Sequence, residues 1–201
     1  MSRPIVIEFS GLPNSGKTTL LHNLKNLCDK NAVSAIFVPE PAERFPKDII
    51  SKGSIAQNIW IRLEEIQTLI EVSSIAQKSK KDFIFLDRGF YNSVFWINLF
   101  KEQYPEISSY FMSLIDSIDT SFHLKPDFLY VIDVSVEESL RRRRKQGGPI
   151  TFSKEDFLSN YRINFKKFYQ SLDAEVLYQD TTNLSKDAVA KLVFKQITSL
   201  L

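Results

Sequence analysis

The sequence predicts an α/β fold in which a five-stranded parallel sheet is flanked by helices, and three observations carry that prediction. Five short apolar runs, near residues 5–9, 35–38, 83–86, 128–132 and 174–178, alternate with longer stretches of helical periodicity. The links between them are short, as in a doubly wound sheet of parallel strands. A length of 201 residues with 43% hydrophobic content is enough to bury one core without staples, so one domain over 1–201 is expected.

The first run (Ile5, Val6, Ile7, Phe9) feeds directly into Gly11-x-x-x-x-Gly16-Lys17-Thr18, and the helical pattern Leu20, Leu21, Leu24, Leu27 follows at once. Strand, glycine loop and helix in that order form the setting of a phosphate-binding loop. Gly11 and Gly16 let the backbone turn tightly and approach an anion, while the loop amides and the positive helix end point at it. The predicted phosphate cradle is therefore Gly11, Asn14, Ser15, Gly16, Lys17, Thr18 and Thr19. Lys17 supplies a cation for the β- and γ-phosphates, and the Thr18 hydroxyl is a Mg²⁺ ligand candidate. A three-layer P-loop NTPase fold that binds a nucleoside triphosphate is the consequence.

Composition removes other classes. A net charge of +2 gives no global field for nucleic acid or a membrane surface. The single cysteine, Cys28, excludes an internal disulfide, fits a reducing cytoplasm and reads as packing in the first helix. No run approaches the ~18 continuous apolar residues of a membrane span, and no signal peptide is expected.

Asn31 marks the end of the first helix, and Ala35 to Val38 form the second strand. Pro39-Glu40-Pro41 stops it in an extended conformation that denies a helix. A carboxylate at the carboxyl end of a parallel strand lies where open α/β sheets bind ligands, so Glu40 is a candidate general base, the alternative being a solvated acid beside Arg44. Residues 47–54 are polar. From Ile55 to Ala76 apolar residues recur at three- and four-residue spacing, predicting a helix of about 20 residues. Gln57, Asn58, Arg62, Glu65 and Gln67 decorate it, and one or two of these are candidates to read a polar substrate edge.

Phe83 to Leu86 read as a strand buried on both faces, ending in Asp87-Arg88-Gly89. Asp87 is placed to hold Mg²⁺ directly or through water, and Arg88 offers a planar fork for phosphate. The helix Tyr91–Phe100 carries an aromatic stripe best read as core, and Pro105 starts a second helix of about 106–120. Phe128 to Ile132 form the fourth strand, ending at Asp133, and Ser135 caps the helix that runs into Arg141–Lys145. Residues turning by about 100° each cannot share a face, so one or two of these cations point toward the phosphate end of the sheet. Gln146 to Pro149 then form a hinge. The segment of about 141–153 is expected to be an arginine-rich lid, with Arg143 or Arg144 meeting the transferring group. Ser153 opens the next helix as a capping-box-like start, Ala174–Tyr178 form the fifth strand, and Ser185 caps the last helix. His22 and His123 read as surface or packing residues.

The glycine loop, Glu40-Pro41 after the second strand, Asp87-Arg88 after the third, and an arginine-rich segment before glycines occur in one order. That order resembles the thymidylate kinase and deoxynucleoside kinase group of P-loop kinases over nearly the whole chain. Glu40-Pro-Ala-Glu-Arg-Phe45 is similar to the deoxynucleoside kinase segment Glu-Pro-x-Glu-Lys-Trp, whose first Glu acts as base on the sugar hydroxyl. Asp87-Arg88 resembles both the Asp-Arg-Tyr of thymidylate kinases and the Glu-Arg-Ser of nucleoside kinases, while 140–148 with the helix 155–172 resembles thymidylate kinases more. Pro13-Asn14 departs from the acidic residue thymidylate kinases carry in the loop. Gly147-Gly148-Pro149 stands where nucleoside kinases carry an acidic pair. The resemblance implies an ATP- and Mg²⁺-dependent kinase of a nucleoside or nucleoside monophosphate, with a homodimer as an open alternative to a monomer. It implies catalytic roles for Lys17, Glu40, Arg88, Arg143 and Arg144. Two other classes stay open: a P-loop kinase of another small-molecule hydroxyl, and a regulatory or defence ATPase.

Overall fold

The computed structural model describes residues 3–46, 48, 55–147 and 152–201, with 152–154 described as backbone alone. The strands β1 (Ile5–Gly11), β2 (Ala35–Val38), β3 (Phe83–Asp87), β4 (Phe128–Asp133) and β5 (Val176–Asp180) make one parallel sheet in the order β2-β3-β1-β4-β5. Around it run α1 (Lys17–Lys30), α2 (Ile55–Lys78), α3 (Phe90–Leu99), α4 (Pro105–Phe122), α5 (Val136–Lys145), α6 (Phe152–Gln170) and α7 (Lys186–Thr198). This is the α/β P-loop fold that the apolar runs predict. The three inner strands are the continuous apolar ones, buried along almost their whole length, because helices cover both of their faces. The edge strands β2 and β5 are half-exposed, and of the two β5 is the more polar.

The described chain divides into two compact units, one of residues up to Glu8 with Ile36–Asp127, the other of Phe9–Ala35 with Phe128–Leu201. In the first, Phe83 stacks on Phe85 with centroids 5.3 Å apart, and Ile66, Leu69 and Val72 of α2 are buried. Asp127 accepts from Arg3 Nη1 at 3.0 Å and from the Val6 amide at 2.8 Å, tying down the start of β1. In the second unit Phe9 stacks on Tyr130 at 5.5 Å. Tyr161, Phe165 and Tyr169 of α6 are fully buried, and the Tyr169 hydroxyl donates to Ser10 Oγ at 3.0 Å.

Both serine caps form as expected. Ser135 Oγ accepts from the Glu138 amide at 3.1 Å and Ser185 Oγ from the Ala188 amide at 3.2 Å. Three boundaries differ from expectation. β5 begins and ends two residues late, because its pairing with β4, from Leu129↔Val176 to Asp133↔Asp180, follows the partner strand rather than its own hydrophobicity. Ser153 lies inside α6, which opens at Phe152, so it is not the cap. After an extended Glu40, the chain winds into a 3-10 turn over Pro41–Arg44, with proline in the first position, where the missing N–H costs nothing. Most of the polar 47–54 stretch, and Gly148 and Pro149 of the expected lid, lie outside the described residues. No described helix is long and apolar enough to cross a membrane.

Candidate functional site

In the second unit the loop between β1 and α1 has the conformation an anion cradle needs. A Cβ on Gly11 would run into the Ile132 carbonyl oxygen, so the strand end can pass β4 only as glycine. Gly16 sits at φ +97° and Asn14 at φ +58°, the left-handed region that glycine and, less readily, asparagine accept. Lys17 opens α1 and is 7% exposed, while Thr18 and Thr19 are open to solvent. Asn14 to Leu20 line a cleft of about 770 Å³ together with Glu138, Arg141, Arg142, Lys145, Gln146, Thr181 and Leu184. Six of the seven predicted cradle residues are in that lining; Gly11 instead serves the turn against Ile132. Five cationic side chains (Lys17, Arg141, Arg142, Lys145, Lys186) face one carboxylate, Glu138, so the cleft attracts a polyanion.

Helix geometry decides which cations enter. Positions 141, 142, 145 and 146 share one side of α5 and line the cleft. Arg143, half-buried, and Arg144, exposed, are outside that lining. Of the cationic helix end, Arg141, Arg142 and Lys145 line the cleft, rather than the Arg143 or Arg144 expected there. Glu138 accepts from Arg141 Nε at 2.5 Å and from Arg142 Nε at 2.8 Å, and these two guanidinium groups hold its carboxyl down at about 2. Its contribution to stability is present above the ordinary glutamate range, near 4.5, and is lost as pH falls through about 2.

Two strands next to β1 end in an aspartate, and the structure separates them. Asp133 accepts from Arg162 Nε at 3.0 Å and Nη2 at 2.7 Å, sits 2.9 Å from Lys166 Nζ, and also takes the Val134 amide at 2.8 Å. Burial pulls its pKa up, but these cationic and backbone partners prevail and hold it below the ordinary aspartate value. Asp133 is thus a structural anion, spent on α6. Asp87, 3% exposed at the end of β3, is the other. An Asp87→Asn variant is expected to shift the Mg²⁺ dependence of activity more than nucleotide binding. Asp133→Asn should instead lower thermal stability, by about 1–3 kcal/mol for the charge-assisted bonds lost, with the metal titration unmoved. Superimposable Mg²⁺ titrations of parent and Asp87→Asn would remove Asp87 from the metal's shell.

The first unit holds a polar cluster at the ends of β2 and β3. Arg88 Nε lies 3.3 Å from Glu40 Oε1, both side chains being largely shielded from solvent. Arg88 adopts φ +68°, uncommon for a side chain of its size and the kind of local strain that collects at working sites. Arg44, expected beside Glu40, reaches α2 instead, 3.3 Å from Glu64 and bonded to Thr68 Oγ1. Glu65 is fully buried, paired with Arg62, and accepts from Ser93 Oγ. Burial raises its pKa above the ordinary glutamate value against the opposing pull of Arg62, Ser93 and Arg88. Of the five polar α2 residues singled out in the sequence, Arg62 and Glu65 are the buried ones, whereas Gln67 is exposed and bonds Glu71.

Glu8 belongs to this cluster and periodicity did not single it out. Fully buried within β1, it accepts from the Tyr91 amide at 3.0 Å and the Asn92 amide at 2.8 Å, capping the start of α3 just after Asp87-Arg88-Gly89. A Cβ on Gly89 would stand 3.0 Å from Glu8 Oε2, which explains the glycine. An acid inside an apolar strand was the available signal. Gly89→Ala is expected to destabilise the fold by about 1–3 kcal/mol, as overpacking against a buried carboxylate does, measurable by thermal unfolding.

A family model described as AAA domain matches residues 6–147 of this chain. The chain is 22% identical over 199 residues to a probable thymidylate kinase of Sulfurisphaera tokodaii, covering 94% of this chain and 98% of that protein. It is 25% identical over 183 residues to a probable thymidylate kinase of Methanobrevibacter smithii, covering 87% of this chain and 86% of that protein.

Proposed function

The chain belongs to the AAA-domain family, and from that premise we propose that it is an ATP-dependent kinase of a thymidylate-type nucleoside monophosphate. The observation that carries the phosphotransferase reading is the cationic cleft around Asn14–Thr19, of a volume that suits a nucleotide. Two probable thymidylate kinases that match most of this chain support the acceptor class. Lys17 and the loop amides hold the ATP phosphates, an arrangement in which positioning and charge neutralisation do most of the catalysis. The Thr18 hydroxyl and the Asp87 carboxylate are hard oxygen donors of the kind that would hold Mg²⁺, and the ion would supply charge neutralisation to phosphoryl transfer. Arg88 takes the acceptor phosphate. Arg143 or Arg144 is assigned the transferring phosphoryl group by the resemblance, while Arg141 and Arg142 are the arginines that line the cleft around the loop. Residues 1–201 act as one kinase domain.

One observation favours a second reading, a deoxynucleoside as acceptor. Glu40 already pairs with Arg88, and in the first unit's cluster Glu8, Glu40, Glu65 and Asp87 outnumber Arg62 and Arg88. A neutral sugar hydroxyl enters such surroundings at no electrostatic cost, with Glu40 as its base. A ligand panel tests both. At about a hundredfold excess over its dissociation constant the true acceptor stabilises the fold by about 2.7 kcal/mol. For a chain of this size that raises the melting midpoint by about 5–10 °C. Thymidylate-type monophosphates should give that rise. A response confined to nucleosides would select the second reading, and a flat panel would reject both.

A further inference from the structure

We propose that α5 works as a clamp on the phosphate loop, with Arg142 as its positioning residue, presetting the direction of the loop amide that precedes Lys17. Three consecutive loop carbonyls are gripped from one side. Ser139 Oγ, fully buried, donates to the Pro13 carbonyl at 2.8 Å. Arg142 Nη1 donates to the Ser15 carbonyl at 2.9 Å and more weakly to that of Asn14 at 3.4 Å. Thr181, buried at the end of β5, completes the grip, its Oγ1 lying 3.0 Å from the Ser15 carbonyl oxygen.

All three guanidinium nitrogens are engaged in doing this. Nε goes to Glu138, Nη1 to the loop and to Thr181 Oγ1 at 3.2 Å, and Nη2 to the Thr181 carbonyl at 2.7 Å. A planar fork spread over a carboxylate, two loop carbonyls and a threonine is a brace, and a lysine's single ammonium cannot reproduce it. The consequence for the loop follows from the peptide plane. In a trans peptide the carbonyl of one residue and the N–H of the next point in opposite directions. Holding the Ser15 carbonyl against Arg142 and Thr181 therefore turns the Gly16 N–H away from them. Gly16 supplies the φ of +97° that this peptide orientation demands, with Arg142 Nη1 3.7 Å from where its Cβ would stand. Amides fixed before the anion arrives need no reorganisation when it binds, which is where such donors are most effective. Without the brace the Ser15–Gly16 peptide is free to rotate, and the cradle loses its preset donor.

This inference rests on the donor half of the function proposed above and is independent of the acceptor. Its test is the affinity of the intact protein for ATP, ADP and AMP, by calorimetry without acceptor. Arg142→Lys should weaken ATP and ADP by about the same factor, about tenfold or more, with AMP changed little, since the loop serves the outer phosphates. Thr181→Val should weaken both in the same sense by a smaller factor, and it reports on the brace even where an Arg142 variant fails to fold. ADP affinity retained in Arg142→Lys and Thr181→Val, with only transfer slowed, would overturn the clamp and make Arg142 a direct contact to the transferring group. A parent protein that binds neither ATP nor ADP would instead overturn the donor reading itself.

Discussion

Lys17→Ala abolishes phosphoryl transfer, by a factor of about 10³ or more, and leaves a folded chain. The rate loss is expected because the ammonium is a charge-assisted donor in a preorganised site, where losing even one such donor costs about 10²–10³ in turnover. The fold is expected to survive because Lys17 is one of five cations crowded into the same cleft. With no nucleotide bound their mutual repulsion opposes folding, so removing one relieves as much as its buried stem contributes. Circular dichroism and a melting curve check the second half, steady-state ADP release the first. A variant that turns over at the parent rate would show that this loop is not the catalytic one.

The second large effect separates the two acceptors. A sugar hydroxyl has a pKa far above neutrality, so a nucleoside kinase gains about 10²–10⁴ in rate from a positioned base. A monophosphate oxygen is already anionic and gains instead from cations around it. With a thymidylate-type monophosphate, Arg88→Ala should therefore be the damaging change, at about 10² or more, and Glu40→Gln comparatively mild. The opposite order, on a nucleoside, identifies Glu40 as the base. Because Arg88 stands at φ +68°, alanine there keeps the backbone strain, and Arg88→Gly, which relieves it, serves as control. Arg88→Ala and Glu40→Gln both remove the charge pairing between Glu40 and Arg88, 3.3 Å apart, so a difference between them reports chemistry rather than the lost ion pair. If both keep full activity on every nucleoside and nucleotide tried, the acceptor lies outside this group.

The fold was legible because its inner strands are continuous apolar runs and its loop has a fixed spacing, both local signals. Cap serines 135 and 185 were legible for the same reason. β5 was misplaced by two residues because an edge strand takes its limits from its neighbour, which no local pattern reports. In the site, Lys17, Asp87 and Arg88 could be named because each follows directly from a strand end. Arg142 could not be told from its three arginine neighbours, since its role comes from meeting Thr181, which lies 39 positions away in sequence. Glu65 and Asp133 are of the same kind: an acid on a helix or a strand end becomes a buried anion only through Arg62, or through Arg162 and Lys166. Pairings across long sequence separations were the part hidden from the sequence.

The central claim is that ATP turnover here is acceptor-dependent transfer, and ADP release measured with and without thymidine monophosphate, at fixed Mg²⁺, tests it most directly. A kinase holds its acceptor in place of water, so the rate should rise by about a hundredfold or more, with thymidine diphosphate formed mole for mole with ADP. A slow rate that ignores every nucleoside and monophosphate, yet rises when a macromolecular partner is added, would contradict the account and make the chain a regulatory ATPase.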